Sequence, residues 1–486
     1  MKKPASTTYH EELFRETSKT AQAATVDNIN EHQLTLGQVF KKHPALIGWS
    51  FFWSICAVGS GFDAQINGAM ISVASFRKDF GYQTAFNMIS SVSMLFGGFA
   101  CSTLADKWGR RTALMCGIIL CTGGPLFCGE IAPVVLRGIS TAGINLGIAI
   151  GQLLSNAVVK AFGERTDRWA YAAPFAIQLF FCLFLMCGLP FAPESPWYLV
   201  RNGKDTETLR ALQKLWGKDT NVEDKLAALK TTISEENNQK ESRFLDCFRG
   251  TNLVRSCIST GVFACQHFAG IVFVLGFSTY FFQLAGLDTS RSFDLGVGIT
   301  ACGVAGNITS WFVVDTYGRR KVFIGGMAAL TTLLLLIGIM DVIRIGPSKW
   351  VQASCTVIYA FLYFMTIGAM AFVLLGEASS MGLRAHTTAL ATATQSILGI
   401  IMNIAIPYMV NPDEGNLKGK VGFVFGGLAA IATLGAWIYV PELKGRTNRE
   451  IDMLFAALIP PRKMGSYHLD QEVASDARMT MKRIQA

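Results

Sequence analysis

The chain has 486 residues, 51% of them hydrophobic and only 16% charged, with a formal net charge of +9. Its mean hydropathy of +0.36 is far more apolar than a soluble core of this size requires, which points to an all-α polytopic membrane protein. The surplus of arginine and lysine sits mostly in loops and tails, where membrane orientation and anionic lipid account for it without any nucleic-acid partner.

The 12 cysteines are scattered without a C-x-x-C or paired spacing, and most of them fall inside apolar runs. They read as small packing residues, so neither a disulfide framework nor a metal site is expected. The sequence has no H-E-x-x-H, no Walker loop and no plausible Ser/His/Asp grouping. Nothing therefore asks for an enzyme or a cofactor.

Residues 1–44 are polar and end in Lys41-Lys42-His43-Pro44, which reads as a disordered cytoplasmic tail. The first apolar span starts at Ala45 and meets Asp63, with Gln65 and Asn67 close behind. A crossing needs about 20 apolar residues, so a helix reaching Phe76 holds Asp63 well inside the membrane. A shorter helix would leave it at the outer end. An ionisable group at that depth is costly and usually functional, and proton coupling is the sharper reading.

A second span, about 85–104, delivers the loop Asp106-Lys107-Trp108-Gly109-Arg110-Arg111. It returns as Asp315-Thr316-Tyr317-Gly318-Arg319-Arg320. An acid, a glycine and two arginines cannot sit in hydrocarbon, so each copy is a tight loop at a membrane face, and the arginines make that face cytoplasmic. Two copies in matching hydropathic positions indicate a duplicated membrane protein.

The duplication is uneven. Asp106 and Glu130 are 24 residues apart, whereas Asp315 and Glu377 are 62 apart; the next intervals, Glu130 to Pro193 and Glu377 to Pro441, agree at 63 and 64. The first half is thus short by 38 residues, about one helix with its loops. The 18 residues of 112–129 allow one crossing, which puts Glu130 and Arg137 on the wrong face, unless the stretch dips in and returns.

A span to about Val159 carries Asn145, Gln152 and Asn156. Such amides can tie helices together or line a cavity for a polyhydroxylated ligand. The span 170–192 ends at Pro193-Glu194-Ser195-Pro196-Trp197-Tyr198-Leu199. Residues 200–255 are a polar linker in which Leu209, Leu212, Leu215 and Trp216 share a helix face and Thr220-x-x-Glu223 offers a capping box, so short amphipathic helices are expected. The second half, 256–456, has six spans, near 256–284, 293–314, 321–342, 351–376, 387–410 and 420–440, followed by a polar tail, 457–486. Gln266, His267, Gln395 and Asn403 lie within these spans. His267 reads either as a satisfied core histidine or as part of a cavity wall.

From Ala45 to Phe455 these residues resemble the sugar porter branch of the major facilitator superfamily. The resemblance rests on Gly61-Phe62-Asp63, both acid-and-arginine loops, Glu130 to Arg137, the PESPWYL of 193–199, Gln266-His267, Glu377 to Arg384 and the PELKGRT of 441–447. Within that branch, Thr166 to Gln178 and Ser278-Thr-Tyr-Phe-Phe-Gln283 are similar to fungal alpha-glucoside (maltose-type) permeases.

The resemblance implies a major facilitator fold of two six-helix bundles, here 45–199 with about one helix missing around the third and fourth positions, and 256–456. It also implies a sugar or glycoside site between them, proton symport by alternating access, and a multi-pass location in the lipid bilayer of the plasma membrane. Asp63 matches the proton-coupling acid. Gln152, Gln266 and Gln395 match sugar-binding glutamines, His267 sits beside them, and Phe372 stands at an aromatic wall position. Asp106, Arg110, Arg111, Glu130, Arg137, Glu194, Asp315, Arg319, Arg320, Glu377, Arg384 and Glu442 match the cytoplasmic gating network.

The chain departs from the pattern in three ways. His267 replaces the second glutamine of the usual pair, Val272 replaces a common asparagine, and the shortened stretch removes the charged group that normally faces the coupling acid, leaving Asp63 without a visible partner. A transporter of another small molecule, such as a secondary metabolite, and an inactive shortened form are the competing readings. A non-transporting sensor is disfavoured by the short tail.

Overall fold

The computed structural model describes residues 44–80, 134–216, 222–238, 244–343, 347–380, 383–411, 413–444, 446 and 448–467, and every regular element among them is helical. The expectations for the second span, the first acid-and-arginine loop, the shortened stretch 112–129 and the capping box at Thr220 fall outside the described residues. By compactness the chain divides into two units, one of 1–57, 100–144 and 182–242, the other of 58–99, 145–181 and 243–486.

In chain order the helices are α1 (Pro44–Met70), α2 (Ala74–Phe80), α3 (Val134–Gly163), α4 (Trp169–Gly188), α5 (Pro196–Arg201), α6 (Asp205–Trp216), α7 (Val222–Asn238) and α8 (Gly250–Phe268). They continue as α9 (Ser278–Leu284), α10 (Thr289–Tyr317), α11 (Arg319–Ile343), α12 (Ser348–Tyr363), α13 (Ala369–Ala378), α14 (Arg384–Val410), α15 (Val421–Tyr439) and α16 (Asn448–Ala456). Seven helical stretches among the described residues are long and apolar enough to cross a membrane by length and composition, five of them in the second half. An uninterrupted backbone ladder is the only way a lipid-facing segment can satisfy its own N–H and C=O groups.

The expected second-half spans are found with ends shifted by a few residues, and two of them contain a π-helical turn. A π-turn at Val272–Gly276 separates α8 from α9, and another at Phe364–Gly368 separates α12 from α13. Gly270, at φ +78°, turns the chain into the first break, a conformation that glycine adopts at little cost. Such breaks are tolerated at membrane depth only where the freed backbone is enclosed by protein or lines a cavity.

Within the second unit the largest core runs along α11, where Phe323, Met327, Leu330, Leu334 and Ile337 recur at steps of three or four and are fully buried. Phe425 and Ala429 of α15 and Ile367 of the second π-turn belong to the same cluster. Between lipid-embedded helices this packing stabilises through close van der Waals contact, because lipid tails are as apolar as leucine.

In the other unit, α6 carries Asp205 and Glu207 in its first turn and Lys214 in its last, favourable for the helix dipole, and buries Thr208, Ala211, Leu212, Leu215 and Trp216 on one face. Lys225 of α7 lies 3.7 Å over the Trp216 ring, and Lys230 reaches Asp205 at 2.6 Å.

Candidate functional site

Asp63 sits on α1 seven residues before the helix ends at Met70, or about 10 Å of helix from that end. The helix stops short of Phe76, at Met70, and Asp63 is half-buried on it. Its carboxylate accepts a hydrogen bond from Gln178 Nε2 of α4. The expectation that Asp63 lacks a visible partner is corrected by this contact with an amide of another helix. The signal was present in the sequence, since Gln178 is an amide in an otherwise apolar helix, four residues after Pro174.

Two residues beyond Asp63 towards the same end, about half a turn of helix, Gln65 enters a knot of amides. Gln65 Nε2 donates to the Leu275 carbonyl at 2.7 Å and to Asn156 Oδ1 at 3.3 Å. Asn156 Nδ2 in turn donates to the Gly296 carbonyl at 3.0 Å and lies 3.5 Å from Thr300 Oγ1. This joins α1, α3, the first π-turn and α10 through two side chains that are 3% and 4% exposed. A Cβ added to Gly68 would lie 2.5 Å from the Gly276 carbonyl oxygen, so the backbones of α1 and the π-turn meet directly here.

Nearer the outer end, Arg77 of α2 donates to Gln283 Oε1 at 3.3 Å and lies 5.6 Å from the Tyr280 ring centre. Gln283 Nε2 donates to the Ser72 carbonyl at 3.0 Å, and Tyr280 OH donates to Asn411 Oδ1 at 3.0 Å. Lys160 of α3 pairs with Asp294 of α10. At this end, helices from the two halves of the sequence are bonded to each other at every level.

The expected sugar-binding residues distribute unevenly. Gln266 and His267 are 4% and 5% exposed on the last turn of α8, and His267 Nδ1 lies 3.4 Å from the Phe263 carbonyl oxygen. The Phe372 ring meets the Phe263 ring edge-on, 5.4 Å between centres, so Phe372 is brought to the same turn of α8. Gln152 is half-buried on α3 with its Oε1 buried and unpartnered. Gln395 is half-buried on α14, and Asn403 of that helix caps its own backbone at Gly399.

At the opposite end, the second acid-and-arginine loop is tied within its own half. Arg319 forks onto Glu377, with Nη2 to Oε1 at 2.9 Å and Nε to both carboxylate oxygens at 3.2 and 3.3 Å. Glu442 accepts from the backbone N–H groups of Arg319 at 2.9 Å and Arg320 at 3.1 Å, satisfying orphan donors at the α11 N-terminus and complementing its dipole. Arg320 donates to the carbonyls of Val440 and Trp437, and Lys444 Nζ to Thr316 O at 2.9 Å. Gly318 must be glycine here. Its φ of +88° and ψ of 163° lie in a region essentially closed to other residues, and an added Cβ would stand 2.7 Å from Glu442 Oε2.

Of the other gating residues expected, Glu194 accepts from Ser195 N at 3.1 Å. Asp106, Arg110, Arg111 and Glu130 lie outside the described residues, as do the side chains of Arg137, Asp315 and Arg384. Sequence reading missed Arg77 and Gln283 as a pair, because a lone arginine in a short loop carries no partner signal.

The all-helical fold among the described residues, with seven stretches long and apolar enough to cross a membrane, is that of a transporter of the major facilitator type. The family model for sugar (and other) transporters matches residues 119–455, and the chain belongs to that family, in the sugar porter branch.

The general alpha-glucoside permease of Saccharomyces cerevisiae is 27% identical over 496 residues, covering 91% of this chain and 80% of that protein. The maltose permease MAL31 of the same organism is 26% identical over 502 residues, with 92% and 82% covered. In fold, the chain is similar to a major facilitator proton:xylose symporter, XylE, bound to 6-bromo-6-deoxy-D-glucose, at a TM-score of 0.66 and 20% identity over 84% of this chain and 100% of that one. The inward open conformation of XylE from E. coli gives a TM-score of 0.67 at 18% identity, with 84% and 99% covered.

Proposed function

We propose that this sugar porter moves an α-glucoside or related glycoside across the plasma membrane together with protons, by alternating access between two bundles, 45–199 and 256–456, joined by the linker 200–255. The observation that carries the reading is Asp63, a carboxyl group deep in a membrane helix, hydrogen-bonded by the Gln178 amide and adjacent to the Gln65–Asn156 knot. A neutral amide donor holds the carboxylate in place without neutralising it, so a proton can still be taken up.

In this reading Gln152, Gln266, His267, Phe372 and Gln395 contact the sugar. The partly buried Arg319–Glu377 pair, the Glu442 cap and their first-half counterparts form the cytoplasmic gate. The relatives' names supply the substrate class, and the continuous bonding at the outer end supports a state closed on that side.

The experiment is uptake of labelled maltose into proteoliposomes under an imposed inward proton gradient. Wild-type protein accumulates sugar and Asp63→Asn abolishes gradient-driven accumulation while sparing exchange at equal concentrations. Equal gradient-driven accumulation by both would end the proton-coupling assignment.

A further inference from the structure

The amide knot fixes the register of α3 against α10. Lys160 pairs with Asp294, and Asn156 bonds Gly296 and Thr300, so the two helices run antiparallel with indices that rise on one as they fall on the other. Continued eleven residues towards the arginine-bearing end, this register brings Asn145 to the level of Asn307, and Trp311 follows one turn further along α10. Helical periodicity keeps Asn145 and Gln152 near the α3 face that carries Asn156, and Asn307 and Trp311 near the α10 face that carries Thr300. Ala149, between the two α3 amides, is 1% exposed and packs in the core built from second-half residues.

On this seam the polar atoms change character. Towards the outer end Asn156, Thr300 and Lys160 are bonded, although Ser155 Oγ is not, whereas Asn145 Nδ2, Gln152 Oε1, Asn307 Nδ2 and Trp311 Nε1 are all buried without a hydrogen-bond partner. Asn145 and Asn307 are 7% and 1% exposed. Buried polar groups in folded proteins are normally satisfied, so four orphans along one seam need a ligand or a rearrangement to explain them. Three are N–H donors and one is a carbonyl acceptor. A hydroxyl answers both needs, because it accepts through its lone pairs and donates its proton. From the level of Gln152 to that of Trp311 the orphans extend about 16 Å at the helical rise, more than one pyranose ring bridges.

We infer that Asn307 and Trp311 of α10, facing Asn145 and Gln152 of α3, form a subsite for the second ring of a disaccharide, with Asn307 donating to a ring hydroxyl and the Trp311 indole flanking the ring. The inference rests on the glycoside reading above and assigns α10 a part in substrate choice that the motif residues do not include.

The test compares maltose with methyl α-D-glucoside, two rings against one, as transport in proteoliposomes and as equilibrium binding to purified protein. Asn307→Leu and Trp311→Phe raise the KM and Kd for maltose about tenfold, the scale of one lost hydrogen bond to a desolvated site, and leave those for methyl α-glucoside within a factor of two. Asn307→Leu removes an orphan donor, so its thermal stability stays equal to wild type or rises. Trp311→Phe keeps an aromatic ring and removes only the indole N–H and the ring's larger face.

Equal KM changes for both sugars, or lower Vmax at unchanged KM, overturn the subsite, the latter by showing that the seam serves helix movement. Wild-type protein that binds methyl α-glucoside and binds maltose no more tightly also overturns the subsite but leaves the glycoside reading standing. Protein that binds neither sugar overturns both.

Discussion

The two ends of the second unit are held together in opposite ways. At the arginine-bearing end, the described bonds of Arg319, Arg320, Glu377 and Glu442 join parts of the second half of the sequence. At the outer end, Gln65, Asn156, Arg77 and Lys160 bond from the first half to the second. Contacts within a half can persist through a change of access, while contacts between halves must break and reform. In the proposed cycle the described loop tie braces the second half's share of the gate, and the outer knot belongs to the state closed on that side.

Disrupting the brace gives the largest effect. Gly318→Val forces a β-branched residue into a backbone region closed to it and drives Cβ into the Glu442 carboxylate. Strain of this kind costs about 1–3 kcal/mol before the clash is counted, so the variant loses most of its yield of folded protein, read by size-exclusion chromatography in detergent. Normal yield and melting temperature would show that the loop is not a brace.

Breaking the knot acts on the equilibrium instead. Asn156→Leu removes the bonds to Gly296 and Gln65 and leaves the Gln65 amide with one acceptor. At about 1 kcal/mol per hydrogen bond, the outer-closed population falls several-fold with little loss of folded protein. Spin labels on the outer ends of α3 and α10 should report a longer distance, and an unchanged distance distribution would remove the state-specific role of the knot.

The smallest effect belongs to Lys160→Gln. The pair with Asp294 is 48% and 52% exposed, and exposed pairs contribute about 0–1 kcal/mol and are screened by salt. The same spin-label distance should shift slightly at low ionic strength and not at all at high ionic strength. A shift as large as that of Asn156→Leu would rank the ion pair above the amides and reverse the comparison.

Much of this was legible without coordinates. The apolar spans of the second half follow from hydropathy, and the helical stretches found there agree with them. The glycine of Asp315-Thr316-Tyr317-Gly318-Arg319-Arg320 was visible as a motif, but its reason was not. Gly318 is required by a glutamate more than 120 residues away, and no local pattern encodes that meeting. Gln178 was quoted only as part of a resemblance, because its role depends on which face of α4 turns toward Asp63. The π-helical turns at Val272–Gly276 and Phe364–Gly368 have no Pro within them and leave no mark in the sequence; hydropathy averages over a turn and does not register how a backbone is hydrogen-bonded.

By itself the sequence determined that this chain crosses a membrane many times, because transfer of charge into lipid is costly enough to constrain every span. Only the tertiary structure decided which of the polar residues satisfy one another. A hydrogen bond depends on register and facing to within a fraction of a helical turn, and an amide such as Asn156 reads identically in sequence to one such as Asn145. One is bonded across the seam and the other is left open, and that difference arises from how two helices meet.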